Sequence, residues 1–181
     1  VAALARIAAA HGITLVHVSS DYVFDGKKAG AYTETDALAP LGVYGQTKAA
    51  GDIAVATAPR HYIIRTSWVI GDGNNFVRTM ASLAERGVDP KVVDDQTGRL
   101  TFTSDIADAI VHLLDTHASF GVYNVTGSGD PSTWAAIART VFELTGHDPA
   151  RITGVSTADY FASAAGPISP RPTNSVLDLS K

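Results

Sequence analysis

A chain of 181 residues, 45% hydrophobic and 18% charged, is long enough to close one sizeable core and too apolar to remain disordered. Its net charge of -4, with no basic run longer than Lys27-Lys28, argues against a nucleic-acid surface. The absence of cysteine excludes disulfides, thiolate metal sites and a thiol nucleophile, and no apolar run approaches the length of a membrane span.

The Ala-rich run Val1 to Ala10 has helical periodicity but neither a basic leader nor an initiating Met. It reads as a helix entered partway inside a longer protein rather than as a signal peptide. His11-Gly12 ends it. Residues 13–18 are an apolar, β-branched run of the kind buried on both faces of a sheet, stopping at Ser19-Ser20-Asp21. Loops at the carboxyl ends of parallel strands are where ligands bind, which marks those three residues. Residues 21–40 read as a polar loop with a turn at Asp25-Gly26, and Pro40 precedes a helix over 42–57. Ala49, Ala50, Ile53 and Ala54 give that helix a packing face of mostly small residues.

A strand at 61–66 is expected to continue through Ser67-Trp68-Val69-Ile70 into a turn at Gly71-Asp72-Gly73. A helix over 75–85 closed by Gly87, a short strand at 91–93 and a polar loop at 94–98 follow. Thr103-Ser104-Asp105 reads as an N-cap ahead of the stripe Ile106, Ala109, Ile110, Leu113 and Leu114. A strand at 121–125 leads to Asp130–Thr133, which caps a helix through Leu144 that Gly146 closes. Residues 147–181 are expected to be loop-rich, with one short helix near 159–164. About four alternations of strand and helix make this an α/β chain with a mainly parallel sheet. The less regular later part forms a partly separate lobe, and a groove between lobe and sheet is the natural substrate site.

The chemistry concentrates at Val43-Tyr44-Gly45-Gln46-Thr47-Lys48. Tyr44 and Lys48 are four residues apart, so a helix carries both on one face, one turn apart. An ammonium near a phenol favours the phenolate and eases release of the proton. With a serine hydroxyl close by, the three can exchange a proton with an oxygen that is gaining or losing a carbonyl. Tyr-x-x-x-Lys alone is a weak signal, as readily a helix-face aromatic beside a surface lysine. The strand ending in Ser19-Ser20-Asp21 strengthens it, because adjacent parallel βα units bring a strand end and the next helix start together.

Ser19-Ser20-Asp21-Tyr22-Val23-Phe24-Asp25-Gly26, then Tyr32, Glu34, Asp36 and Pro40, then Tyr44-Gly45-Gln46-Thr47-Lys48 and Gly51 form an ordered series. It resembles the extended short-chain dehydrogenases that act on sugar nucleotides, and within them the dTDP-4-dehydrorhamnose reductases. The resemblance continues through Arg65-Thr66-Ser67-Trp68-Val69, Asn74-Asn75-Phe76, Asp95-Gln96 with Gly98 and Thr101. Arg171-Pro172, Asn174-Ser175 and Leu177-Asp178 extend it to the end of the chain.

The resemblance implies a Rossmann-like parallel sheet lacking its first βα units, with a smaller C-terminal substrate-binding lobe. Residues 1–130 are then part of a dinucleotide-binding domain carrying the Tyr44–Lys48 dyad, with substrate-lobe segments interleaved, and 131–181 are mainly the substrate-binding lobe. The implied reaction passes a hydride from NADPH or NADH to the C4 keto group of dTDP-4-dehydro-L-rhamnose, giving dTDP-L-rhamnose. In it Tyr44 is the general acid, Lys48 eases the transfer and bonds the nicotinamide ribose, and Ser20 bonds the same oxygen as Tyr44. Val18 touches the cofactor through its backbone, and Ser20, Asp21 and Trp68 contact the sugar nucleotide. The implied setting is cytoplasmic, with no membrane or nucleic-acid partner. A homodimer is left open for the full-length protein, and Mg2+ is not indicated by the sequence.

Trp68 by its own pattern reads first as a core aromatic, though a ring ending a strand in polar surroundings also suits a sugar platform. Asp94-Asp95 reads as a solvated turn, and His17 and His61, inside strands, as structural. Asn124-Val125-Thr126 matches a glycosylation sequon with no secretory feature to support its use. Leu100 stands where the family usually has proline. No Gly-rich dinucleotide fingerprint occurs in these residues, and that loop cradles the pyrophosphate. The chain therefore resembles the later part of a reductase and on its own is expected to bind cofactor weakly and to be inactive. Two alternatives stand beside this reading: another sugar-nucleotide reductase or epimerase, and a non-catalytic regulatory subunit of the same fold. The intact Ser20, Tyr44 and Lys48 set disfavours the latter.

Overall fold

The computed structural model describes residues 1–181. Helix α1 (Ala2–His11) stops at Gly12, whose φ of 64° is the left-handed conformation that ends helices, and its N–H closes on the last carbonyls. Strand β1 (Leu15–Val18) follows, then a 3-10 turn at Asp21–Val23 and helix α2 (Val43–Val55). Next come β2 (His61–Arg65), β3 (Val69–Ile70), α3 (Phe76–Glu85) and β4 (Lys91–Val93). The two-residue strands β5 (Thr97–Gly98) and β6 (Thr101–Phe102) lead into α4 (Thr103–Asp115) and β7 (Gly121–Asn124). The chain ends with β8 (Ser132–Thr133), α5 (Trp134–Leu144), β9 (Thr153–Val155), α6 (Thr157–Tyr160) and an extended tail. No helix is long and apolar enough to cross a membrane.

The sheet that positions everything else is parallel, in the order β1-β2-β7, with Val16 opposite Tyr62 and Ile64 opposite Tyr123. β2 lies in the middle and is buried from Tyr62 to Arg65; the apolar run Tyr62-Ile63-Ile64 requires this, and the charge of Arg65 is buried with it. Tyr62 and Ile64 pack against Ile106 and Leu113 of α4 on one face. A second core joins α3, β4, α5 and the turn leading into β9 through Met80, Ala84, Val92, Ala138, Phe142 and Ile152, and β9 pairs with β4 beside it. Residues before and after position 130 thus build that lobe together. The tail then returns toward the sheet, where Leu177 pairs with Tyr32 and packs with Val23 and Phe24.

Several boundaries differ from expectation. The strand expected over 61–70 breaks at Thr66–Trp68, because Trp68 adopts φ 46° and turns the chain. Val69 and Ile70 then pair with β6 instead of with the main sheet. Thr103 is inside α4 rather than its cap: the chain enters the helix directly from β6, and Phe102 occupies the cap position without a side-chain bond. β9 arises inside the stretch expected to be loop, by parallel pairing with β4, and the last helix ends at Tyr160 instead of starting near 159. Thr153-Gly154-Val155 lacks the apolar run that marks Lys91-Val92-Val93, so only its partner strand reveals it. Thr133 does cap α5, accepting the Ala136 N–H at 3.1 Å. Asn124 of the sequon is only 9% exposed, and its amide donates to the Tyr32 and Asp178 carbonyls.

Helix α2 is fixed to the sheet by a buried charge. Asp52, 2% exposed, accepts from Arg65 Nε at 3.1 Å, and His17 Nε2 of β1 stands 3.5 Å from its other oxygen. Arg65 in turn donates to the Glu34 carbonyl at 3.0 Å and lies over the Phe24 ring. Burial by itself raises the Asp52 carboxyl, but His17, Ser19 and the charge of Arg65 outweigh it and hold the group below its ordinary value of 3.8. Its contribution is therefore complete above the ordinary carboxylate range and lost as pH falls through the depressed value.

Asp52→Ala leaves Arg65 buried without its counter-charge, an expected loss of about 3–5 kcal/mol read as a lower denaturant midpoint at neutral pH. The gap from wild type should close as the pH falls below about 4. At the other end of α2, a Cβ on Gly45 would meet the Tyr22 carbonyl and stand 2.9 Å from Pro40 Cβ. Gly45→Ala should cost about 1–3 kcal/mol, measured as a fall in Tm, despite alanine's better helix propensity.

Candidate active site

The carboxyl end of β1 runs straight into the 3-10 turn, and Ser20 caps that turn. Its Oγ accepts the Tyr22 N–H at 3.1 Å and donates to Asp21 Oδ1 at 3.0 Å. Asp21 N–H donates to the Thr66 carbonyl, so the turn is also tied to the end of β2. The Asp21 side chain is 3% exposed, and one of its carboxylate oxygens has no partner. Burial pushes its carboxyl up to about 6, against the lowering effect of the Ser175 and Ser20 hydroxyls and the backbone N–H groups of the turn.

Tyr22 joins this turn to the dyad. Its ring meets the Tyr44 ring edge-on, with centroids 5.5 Å apart at 83°. That approach is open because position 45 carries no side chain. Tyr44 is 54% exposed, so its phenol is available to a ligand. One turn along α2, Lys48 Nζ donates to the Val18 carbonyl at 2.9 Å. Val18, Ser20, Asp21, Tyr44 and Lys48, all marked by the sequence, therefore gather at the carboxyl end of β1.

Trp68 is placed elsewhere. Its indole stacks on Trp134 at 3.8 Å and 16°, and Trp134 meets Phe76 edge-on. Gly98 backs the same ring so closely that a Cβ there would stand 2.6 Å from Trp68 Cε2. Trp68 thus has Trp134 on one ring face and the Gly98 backbone close against its ring.

Beside the turn opens a cleft of about 470 Å³. It is lined by Tyr22, Phe76, Trp134, Tyr160, Phe161 and the two cations Lys91 and Arg171, among others. Arg171 lies over the Phe161 ring and its charge reaches the Tyr22 phenol. Burial and the Asp21 charge raise that phenol, while Arg171 acts to lower it. Aromatic walls with two cations suit a flat ring joined to an anion. The sequence reading gave Tyr22, Trp134, Tyr160, Phe161 and Arg171 no role in the site. Tyr22 and Arg171 had a usable signal, their places in the ordered series from Ser19-Ser20-Asp21 to Arg171-Pro172; Trp134, Tyr160 and Phe161 meet them only through tertiary packing.

A family model described as the RmlD substrate binding domain matches residues 1–181. A dTDP-4-dehydrorhamnose reductase of Aggregatibacter actinomycetemcomitans is 39% identical, over 98% of this chain and 63% of that protein. A dTDP-4-dehydrorhamnose reductase of Sinorhizobium fredii is 40% identical over 100% of this chain and 63% of that protein. A dTDP-4-keto-6-deoxy-D-glucose reductase of Streptomyces niveus is 40% identical, over 94% and 58% respectively. The crystal structure of a dTDP-4-dehydrorhamnose reductase from Bacillus anthracis in complex with NADP superposes with a TM-score of 0.87 at 32% identity. The alignment covers 99% of this chain and 62% of that one. The chain thus spans about three-fifths of the length of the relatives it matches. Its α/β architecture is the Rossmann-like fold of those structures, and the chain belongs to the RmlD substrate-binding-domain family.

Proposed function

We propose that this chain carries the proton-transfer residues and the substrate cleft of an NADPH-dependent dTDP-4-dehydrorhamnose reductase. The observation that carries the reading is the gathering of Ser20, Tyr44 and Lys48 at one strand end, with Tyr22 bridging them to the cleft. The residues present fit the nicotinamide end of such a cofactor: Val18 is exposed, and its carbonyl already holds the Lys48 ammonium. A reduced nicotinamide, when bound, supplies the hydride.

The chain's own residues handle the proton and the orientation. Tyr44 donates its phenolic proton to the C4 oxygen of the keto sugar as general acid. Lys48, on the same helix face, supplies positive charge for the phenolate that remains. Ser20 bonds the same oxygen and fixes the carbonyl for attack. The nucleotide base lies among the aromatic residues of the cleft, and Lys91 and Arg171 balance the diphosphate. In this reading the lobe built by α3, β4, α5 and β9 is the substrate-binding lobe, with Trp68 contributing an edge through its stack on Trp134.

The full-length protein should consume NADPH only when supplied with a dTDP-linked 4-keto sugar. Tyr44→Phe, which removes the transferable proton, should lower kcat by at least about 100-fold while sparing the fold. The measurement is loss of NADPH absorbance, with the product identified by mass and sugar stereochemistry. Turnover of dTDP-4-keto-6-deoxy-D-glucose in place of dTDP-4-dehydro-L-rhamnose would move the assignment to a neighbouring reductase. An unchanged rate in Tyr44→Phe would overturn the general-acid role.

A further inference from the structure

We infer that Asp21 is a positioning residue that decides whether the Ser20 hydroxyl donates to or accepts from the reacting oxygen. The inference rests on the proposed reductase chemistry and adds a control that this chemistry does not require.

Ser20 has one proton and two lone pairs. In the structure the proton points to Asp21 Oδ1 at 3.0 Å, and one lone pair takes the Tyr22 N–H at 3.1 Å. What remains is a single lone pair, which can accept from an alcohol but cannot donate to a ketone. A C4 carbonyl oxygen is an acceptor only, so an ionised Asp21 withholds the Ser20 proton from it. When Asp21 is neutral, its own O–H donates to Ser20 Oγ and releases the serine proton to the carbonyl. No bond beyond these hydrogen bonds changes, and Tyr44 still supplies the transferred proton.

The surroundings make this exchange accessible. The Asp21 carboxyl is enclosed, with one oxygen unpartnered. The neighbouring charged and titratable groups are held elsewhere. Lys48 of α2 bonds the Val18 carbonyl, Arg65 of β2 is paired with Asp52, and Arg171 of the tail acts on Tyr22. Tyr22 of the same turn and Tyr44 of α2 bring hydroxyls and no cation. Ser175 adds a hydroxyl and no charge. Left without a counter-charge, the group has its midpoint raised by burial to about 6, inside the range in which enzymes work.

The test uses the full-length enzyme and compares kcat/KM for keto-sugar reduction from about pH 5 to about pH 8. Wild type should lose about 10- to 100-fold as pH rises through the Asp21 midpoint, the scale of one hydrogen-bond donor at a reacting oxygen. In Asp21→Asn the amide donates permanently to Ser20, so this limb should vanish and the rate at the alkaline end should exceed that of wild type. Ser20→Ala should be slow at every pH and should also lack the limb, because the effect runs through the hydroxyl. A limb that persists in either variant, or a flat wild-type profile, overturns the inference. If wild type turns over no dTDP-keto sugar, the reductase reading has failed on its own. The 13C carboxyl titration of Asp21 in the full-length protein then decides. A midpoint near 6 supports the enclosed, switchable carboxyl, and one at or below the ordinary aspartate value overturns it. That readout also serves if Asp21→Asn does not fold.

Discussion

The contact on which the rest of this structure depends is the buried carboxylate of Asp52 held between Arg65 of β2 and His17 of β1. It stands two turns along α2 from Tyr44 and one from Lys48, on the helical repeat that keeps all three on one face. A purely apolar face could slide or rotate against the sheet at little cost, since hydrophobic burial has no preferred direction. A buried ion pair cannot, because any displacement leaves a charge without its partner. Its net stability relative to an apolar pair is small, and what it adds here is register. Arg65 extends the constraint by holding the Glu34 carbonyl, so the long loop before α2 is fixed by the same guanidinium.

A second constraint acts at the other end of α2. Gly45 lies against the Tyr22 carbonyl, and the two tyrosine rings meet because nothing stands between helix and turn. A glycine inside a helix costs about 1 kcal/mol of propensity relative to alanine, so the close approach offsets a local weakness. The ion pair and the close approach together place one face of α2 over the carboxyl end of β1. The same economy of space appears at Gly98, whose missing side chain lets the Trp68 indole lie flat on the chain and against Trp134. In both places the glycine serves a neighbour rather than its own backbone angle.

The enclosed carboxyl of Asp21 contrasts with that of Asp52. Both are nearly inaccessible, yet one is held below its ordinary value and the other raised to about 6. The difference lies in the partners: Asp52 faces a guanidinium and an imidazole, whereas Asp21 faces hydroxyls and backbone N–H groups. Folding tolerates an unpaired acid in the turn that presents Ser20. Shifted acids of this kind are found where protonation serves chemistry.

The sequence by itself determined the alternation of strands and helices, the main helix spans, and the positions of Tyr44, Lys48 and Ser20. These follow from local causes: apolar runs, helical spacing, and terminators such as Gly12 and Gly146. The sequon at Asn124 shows the limit of such reading, since only pairing of β2 with β7 and the returning tail bury its amide. The break at Trp68 and the pairing of β4 with β9 are equally non-local, because Thr153-Gly154-Val155 carries no apolar run and is a strand only through its partner. A groove between lobe and sheet was expected, but its lining was decided by tertiary structure. No sequence pattern links Trp134 and Phe161 to Tyr22 or Arg171, and packing of the lobe against the strand end makes the four neighbours. Local sequence can mark a helix face that carries a phenol beside an ammonium, whereas the cavity around it is a sum over long-range contacts that no single segment encodes.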